Sequence, residues 1–137
     1  MINFNPIDDV AGIVVMYEPT REVLINIQSY IKQVKQLFIV DNSENPDTLI
    51  LKKIKKISNA EYIGLNKNTG IAAALNIGAK RAIQGGYKYL LTMDQDSFVT
   101  LGMVARMIKN CSSIEDVGII SPLHRNRFKT QEIHTSI

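Results

Sequence analysis

Apolar and polar positions along the chain alternate between two periods. Gly12-Ile13-Val14-Val15-Met16-Tyr17 is a continuous apolar run, the pattern of a strand buried on both faces. It stops at Glu18-Pro19, and Thr20 is placed to cap a helix carrying Val23, Ile27, Tyr30, Ile31 and Val34 at helical spacing. Leu37-Phe38-Ile39-Val40 reads as a second strand, closed by Asp41-Asn42-Ser43. Asn45-Pro46 opens another helix, with Asn as cap and Pro in the first position, and its apolar stripe is Ile50, Ile54 and Ile57. Ala60 to Gly64 is a short third strand, and Asn66 to Gly70 a polar turn. A helix follows from Ile71 to Gln84, rich in small residues (Ala72, Ala73, Ala74, Gly78, Ala79, Ala82) that let it lie close to a sheet or a ligand, and Gly85-Gly86 ends it. The run from Tyr87 to Met93 reads as a buried fourth strand. Thr100 caps a last helix carrying Val104, Met107 and Ile108, and Val117 to Pro122 reads as a fifth strand.

Strands alternating with helical segments give β-α-β units, so the expected fold class is α/β, three α/β/α layers around a mostly parallel sheet. Crossovers should be right-handed. In such sheets ligands bind beyond the carboxyl ends of the strands. The polar residues collect there: Tyr17 and Glu18 after the first strand, Asp41 and Asn42 after the second, 66–70 after the third, Asp94 and Asp96 after the fourth.

Composition narrows the reading. The 137 residues, 45% hydrophobic and 21% charged, suit one globular domain over 1–122 with a polar, aperiodic tail over 123–137. The net charge of +3 is scattered except at Lys52, Lys53, Lys55 and Lys56. These lie opposite the apolar stripe of their helix, as a solvated face, so nucleic acid is not an expected partner. One cysteine, Cys111, excludes an intramolecular disulfide and fits a reducing, cytoplasmic compartment. It reads as a packing residue, and His124 and His134 as surface residues. No apolar run approaches the ~18 residues that a membrane span needs, which leaves peripheral attachment at the inner membrane face as the compatible association.

The chemistry concentrates in Asp94-Gln95-Asp96. Residues i and i+2 of an extended segment point the same way, so both carboxylates can converge on one divalent cation, Mg²⁺ or Mn²⁺. An acid-rich turn or helix N-cap would use the same residues. Asp41 can accept a hydrogen bond from the N–H edge of a uracil or thymine ring, and an Asx turn with Asn42 and Ser43 is its alternative. The turn ending in Gly70 feeds a helix N-terminus, where free N–H groups favour an anion.

Three segments carry a resemblance: Val40-Asp41-Asn42-Ser43, then Asn68-Thr69-Gly70-Ile71-Ala72-Ala73-Ala74-Leu75-Asn76-Ile77-Gly78, then Leu91-Thr92-Met93-Asp94-Gln95-Asp96-Ser97. Together, and in this order, they resemble family 2 glycosyltransferases of the GT-A fold, and within them the rhamnosyltransferases. The resemblance spans Gly12 to Pro122. It implies a nucleotide pocket lined by Tyr17 and the segment to Pro19, with Asp41 at the base, Asn68 and Gly70 near ribose and diphosphate, and Asn76 in support. Asp94 and Asp96 would form the metal and diphosphate site. Glu18 departs from the pattern, as an acid where a small polar residue is usual.

The implied activity is inverting transfer from a nucleoside-diphosphate sugar, dTDP-L-rhamnose, to a hydroxyl of a glycan or glycolipid acceptor. Members of the family continue well beyond this length, adding the acceptor-binding part and the general base. After Pro122 the only acid is Glu132, so the catalytic residue stays unassigned and a nucleotide-binding module without catalysis is the alternative. A phosphatase of the haloacid dehalogenase type also uses Asp-x-Asp, but after its first strand rather than its fourth. An incomplete sheet should expose apolar surface and strand edges, giving a homodimer.

Overall fold

The computed structural model describes residues 5–125. After a 3-10 turn at Pro6–Asp9, the chain runs β1 (Val10–Met16), α1 (Glu22–Tyr30), β2 (Gln36–Asp41), α2 (Thr48–Ile54), β3 (Ala60–Gly64), α3 (Ile71–Gln84), β4 (Tyr89–Asp94) and α4 (Met103–Cys111). A second 3-10 turn, Ile31–Gln33, extends α1. The four strands form one sheet in the order β3-β2-β1-β4, and every pairing is parallel.

That order explains the layers. The chain steps outward from β1 to β2 to β3, then reverses across the sheet to β4. Crossovers of one hand must change face when the direction of travel reverses. Accordingly, residues of α1, α2 and α4 pack in one core with Val14, Met16, Leu37 and Ile39. On the opposite face α3 packs with Ala11, Ile13, Val15, Phe38 and Val40. β1 is buried at every position, which is why its apolar run shows no alternation.

α3 approaches the sheet closely because its inward stripe is Ala74, Gly78 and Ala82, all buried. A Cβ at Gly78 would stand 2.7 Å from Ile13 Cγ2 of β1. The small residues thus serve sheet packing. Asp47, rather than Asn45, caps α2: its carboxylate accepts from the N–H groups of Leu49 (2.8 Å) and Ile50 (3.0 Å). Those two bonds lower the Asp47 pKa, that to Ile50 most. The helix therefore starts two residues later than expected, at Thr48 rather than Pro46.

Two further expectations are corrected. β4 is an edge strand in which Leu90, Thr92 and Asp94 are exposed while Tyr89, Leu91 and Met93 face the core. Its apolar run reads as a buried strand, but α3 lies over β1 and β2 and leaves one side of β4 open. Residues 117–122 form no strand: they are without regular structure, and Ile119 is 93% exposed. An apolar run becomes a strand only when a partner ladder satisfies its backbone, and among the described residues none pairs with it. The reading of 123–137 as a tail, with Glu132 and His134, falls outside the described residues beyond Arg125.

Candidate functional site

Reversal of the chain between β1 and β4 makes a topological switch point, where loops leaving adjacent strand ends diverge and open a crevice. A cleft of about 470 Å³ lies there, lined by Val15, Tyr17, Asn42, Asn68, Ile71, Asp94, Gln95 and Asp96. The ladder register sets Val15 beside Asp94, so the end of β1 and the acids of β4 share one wall. Of the residues singled out from sequence, Tyr17, Asn68, Asp94 and Asp96 meet in this cleft. Pro19, Asp41, Gly70 and Asn76 do not line it.

The β1 end is held by its neighbours. Tyr17 N–H donates to Gln95 Oε1 (2.9 Å), and Gln95 Nε2 donates to the Tyr17 carbonyl (3.2 Å). Glu18 follows with φ +42, a left-handed conformation that is costly for a side-chain-bearing residue. Its N–H donates to Ser43 Oγ at 2.8 Å, which helps fix the turn. Glu18 is exposed and outside the cleft lining, so its acid is not set against a ligand there.

The β2 end is turned inward. Asp41, Asn42 and Ser43 are 2%, 4% and 0% exposed. Asp41 Oδ1 accepts from Ser43 N–H (3.0 Å), the Asx turn that the sequence offered as an alternative, and Oδ2 accepts from Tyr62 Oη (2.8 Å). Burial raises the Tyr62 pKa first, and the bond to Asp41 and its charge raise it further. Asn42 Oδ1 accepts from Thr69 N–H (2.8 Å) and Thr69 Oγ1 (2.9 Å), while Nδ2 donates to Asn68 Oδ1 (3.0 Å). Asn68 Oδ1 also accepts from Gly70 N–H at 3.0 Å. Asn42 thereby pins the loop that starts α3. Gly70 sits at φ +81 with no side-chain cap, and Ile71, the first residue of α3, reaches the cleft wall. Asn76 lies further along α3 and is exposed.

At the β4 end Asp94 and Asp96 are exposed and both open to the cleft. Among the described residues no group of three or more His, Cys, Asp or Glu side chains is arranged to hold a metal ion. Two carboxylates suit Mg²⁺ or Mn²⁺ only where water and phosphate oxygens complete the shell. The donor set thus fits a cation shared with a diphosphate and does not fit one held by protein alone.

Gln95 and Asn26 were not singled out from sequence, and Asn42 was named only as one of the polar residues at the strand ends. Asn42 and Gln95 stand inside the quoted motifs, beside the acids that drew the reading. Asn26 had a signal of its own: it is a polar residue on the stripe Val23, Asn26, Ile27, Tyr30, which α1 buries.

The model of the family described as Glycosyl transferase family 2 matches residues 13–136. The chain belongs to glycosyl transferase family 2. Its similarity to poly-β-1,6-N-acetyl-D-glucosamine synthase of Staphylococcus aureus (strain COL) is 26% identity over 133 residues, covering 94% of this chain and 32% of that one. It is likewise 26% identical over 126 residues to the dTDP-rhamnosyl transferase RfbF of Shigella flexneri, covering 89% of this chain and 40% of that one. The crystal structure of S. aureus TarS 1–349 superposes with a TM-score of 0.58 over 76% of this chain and 31% of TarS, at 21% identity, and so shares the fold. This family 2 domain spans about a third of the length of the curated relatives it matches. No helix among its described residues is long and apolar enough to cross a membrane.

Proposed function

We propose that this glycosyltransferase domain binds a nucleoside-diphosphate sugar, dTDP-L-rhamnose, in the cleft between the ends of β1 and β4, for transfer to a hydroxyl of a cell-surface polysaccharide acceptor. The observation that carries the reading is the meeting of Tyr17, Asn68, Asp94 and Asp96 in one cleft at the switch point. The similarity to a dTDP-rhamnosyl transferase supports the choice of sugar.

Asp94 and Asp96 are the residues that would hold Mg²⁺ or Mn²⁺, which would supply positive charge to offset that developing on the departing nucleoside diphosphate. Tyr17 walls the nucleoside end, and the start of α3 presents its positive dipole end to the phosphates. Asp41 acts behind this surface. Its two oxygens accept from Ser43 N–H and Tyr62 Oη, and at 2% exposure it supports the loop from behind the cleft wall.

Binding without transfer is the second reading for this chain by itself. Among the described residues the acids lining the cleft are Asp94 and Asp96, and both are assigned to the cation, so neither is left to act as a general base. Thermal unfolding with dTDP, UDP or ADP, each with Mn²⁺, tests the donor. At a ligand concentration 100 times Kd, binding adds about 2.7 kcal/mol of stability. The pyrimidine nucleotides should raise the midpoint and ADP much less. Equal shifts for all three would remove pyrimidine selectivity, and no shift would remove the site. A rhamnosyl-transfer assay with simple glycoside acceptors should give no turnover from this chain; steady turnover would overturn the binding-only reading.

A further inference from the structure

Gln95 stands between two acids that open to the cleft, yet its side chain turns back to the end of β1. The β1–β4 ladder ends at the pair Val15 and Asp94. Immediately beyond it, the Gln95 carboxamide both accepts from Tyr17 N–H (2.9 Å) and donates to Tyr17 C=O (3.2 Å). A primary amide has the donor and acceptor of a peptide group, so Gln95 extends the ladder by one rung with a side chain in place of backbone. The rung is anchored from below. Asn26, 3% exposed on α1, donates through Nδ2 to the Gln95 carbonyl at 2.9 Å.

With main-chain oxygen and side-chain amide both engaged, Gln95 has its backbone and side chain fixed, and the carboxylates on either side are left to project outward. We propose that Gln95, backed by Asn26, is a positioning residue that couples the acid pair to Tyr17, so that the diphosphate end and the nucleoside end of the donor are gripped in one fixed relation. This deepens the proposed function and rests on it. Gln95 itself touches no reacting atom in this account: its amide sets where Asp94, Asp96 and the Tyr17 ring stand. The requirement is specific to an amide. A glutamate of the same size would keep an acceptor for Tyr17 N–H but set a second oxygen against the Tyr17 carbonyl. An alanine would remove the rung altogether.

Calorimetric titration of the chain with dTDP over a range of Mn²⁺ concentrations tests this, on the wild type and on Gln95→Glu, Gln95→Ala and Asn26→Ala, each checked for its unfolding midpoint. Gln95→Glu and Gln95→Ala should lower dTDP affinity tenfold or more and raise the Mn²⁺ concentration needed for half-maximal binding. Asn26→Ala should do so by a smaller factor. In a Tyr17→Ala background the loss from Gln95→Ala should shrink at least threefold, because one of the two coupled walls is already gone; independent sites would instead add. Lowered unfolding midpoints with unchanged dTDP and Mn²⁺ affinities in the folded variants would mean a purely structural bond and overturn the proposal. Should Gln95→Ala fail to fold, Gln95→Glu, which keeps the bond from Tyr17 N–H, decides alone. A wild-type chain that binds no dTDP at any Mn²⁺ concentration would instead sink the donor reading, and this proposal with it.

Discussion

Two strand ends in this domain carry nearly the same residue types and use them in opposite ways. At the end of β2, Asp41-Asn42-Ser43 is buried throughout, and each of its side chains bonds to another part of the protein. At the end of β4, only the middle residue of Asp94-Gln95-Asp96 turns inward, and the two acids are exposed at the cleft. The difference follows from position in the sheet. β2 is flanked by β3 and β1 and covered on both faces, so polar groups at its end must find protein partners. β4 is an edge strand with one face open, so the acids at its end stay exposed to solvent. The first loop is frame, and the second is the surface that the proposed function assigns to a ligand.

The strongest way to break this comparison is at Asp41. Truncating it leaves Tyr62 Oη and Ser43 N–H without their acceptor, and a buried donor left unsatisfied costs about 1–3 kcal/mol. Asp41→Ala should therefore lower folding stability by about 2–5 kcal/mol in denaturant titration. A loss close to zero would show that the β2 loop is no frame at all, and would free Asp41 for direct base contact.

Tyr62→Phe sharpens the same point with a smaller effect. It removes one bond to a buried carboxylate and keeps the ring, so a loss of about 1–2 kcal/mol is expected. Tyr30→Phe is its control. Tyr30 is 0% exposed, and its Oη has no hydrogen-bond partner among the described residues. Burial alone raises its pKa. Removing that hydroxyl should leave stability unchanged or raise it by up to about 1 kcal/mol, since desolvating it gained no bond. Equal losses for the two variants would mean that the Asp41–Tyr62 bond contributes nothing specific.

The contrast between the loops also marks what sequence can carry. Period and order were legible: four strands, four helices and the polar strand ends all followed from apolar runs, because those runs reflect burial within one element. The open face of β4 was not legible, because Leu90 is exposed only through the placement of α3 over β1 and β2, a fact about another segment. The run at 117–122 failed for a related reason, since a strand is made by its partner as much as by its residues. In the candidate site, Asp94 and Asp96 could be paired by spacing alone. The inward turn of Asp41 depends on Tyr62, 21 residues away, and that of Gln95 on Tyr17, 78 residues away. Only Asn26 betrayed itself locally, as a polar residue on an apolar stripe.

The smallest effect on folding is expected where the effect on binding is greatest. Asp94 and Asp96 are both exposed, and surface substitutions away from special features usually change stability by no more than about 0.5 kcal/mol. Asp94→Asn and Asp96→Asn keep size and shape and remove one negative charge each. Each variant should unfold within about 0.5 kcal/mol of the wild type while losing most of its Mn²⁺-dependent dTDP affinity, because a hard cation bound by so few protein oxygens has no carboxylate to spare. Both quantities can be read from one preparation, by denaturant titration and by calorimetry. Set beside Asp41→Ala, the result should be a clean exchange: stability lost without direct loss of the cation site at one strand end, cation-dependent binding lost without loss of stability at the other. Unchanged affinity in both Asn variants would reduce Asp94-Gln95-Asp96 to an exposed turn. A large loss of stability in either would place the β4 loop, like the β2 loop, in the frame.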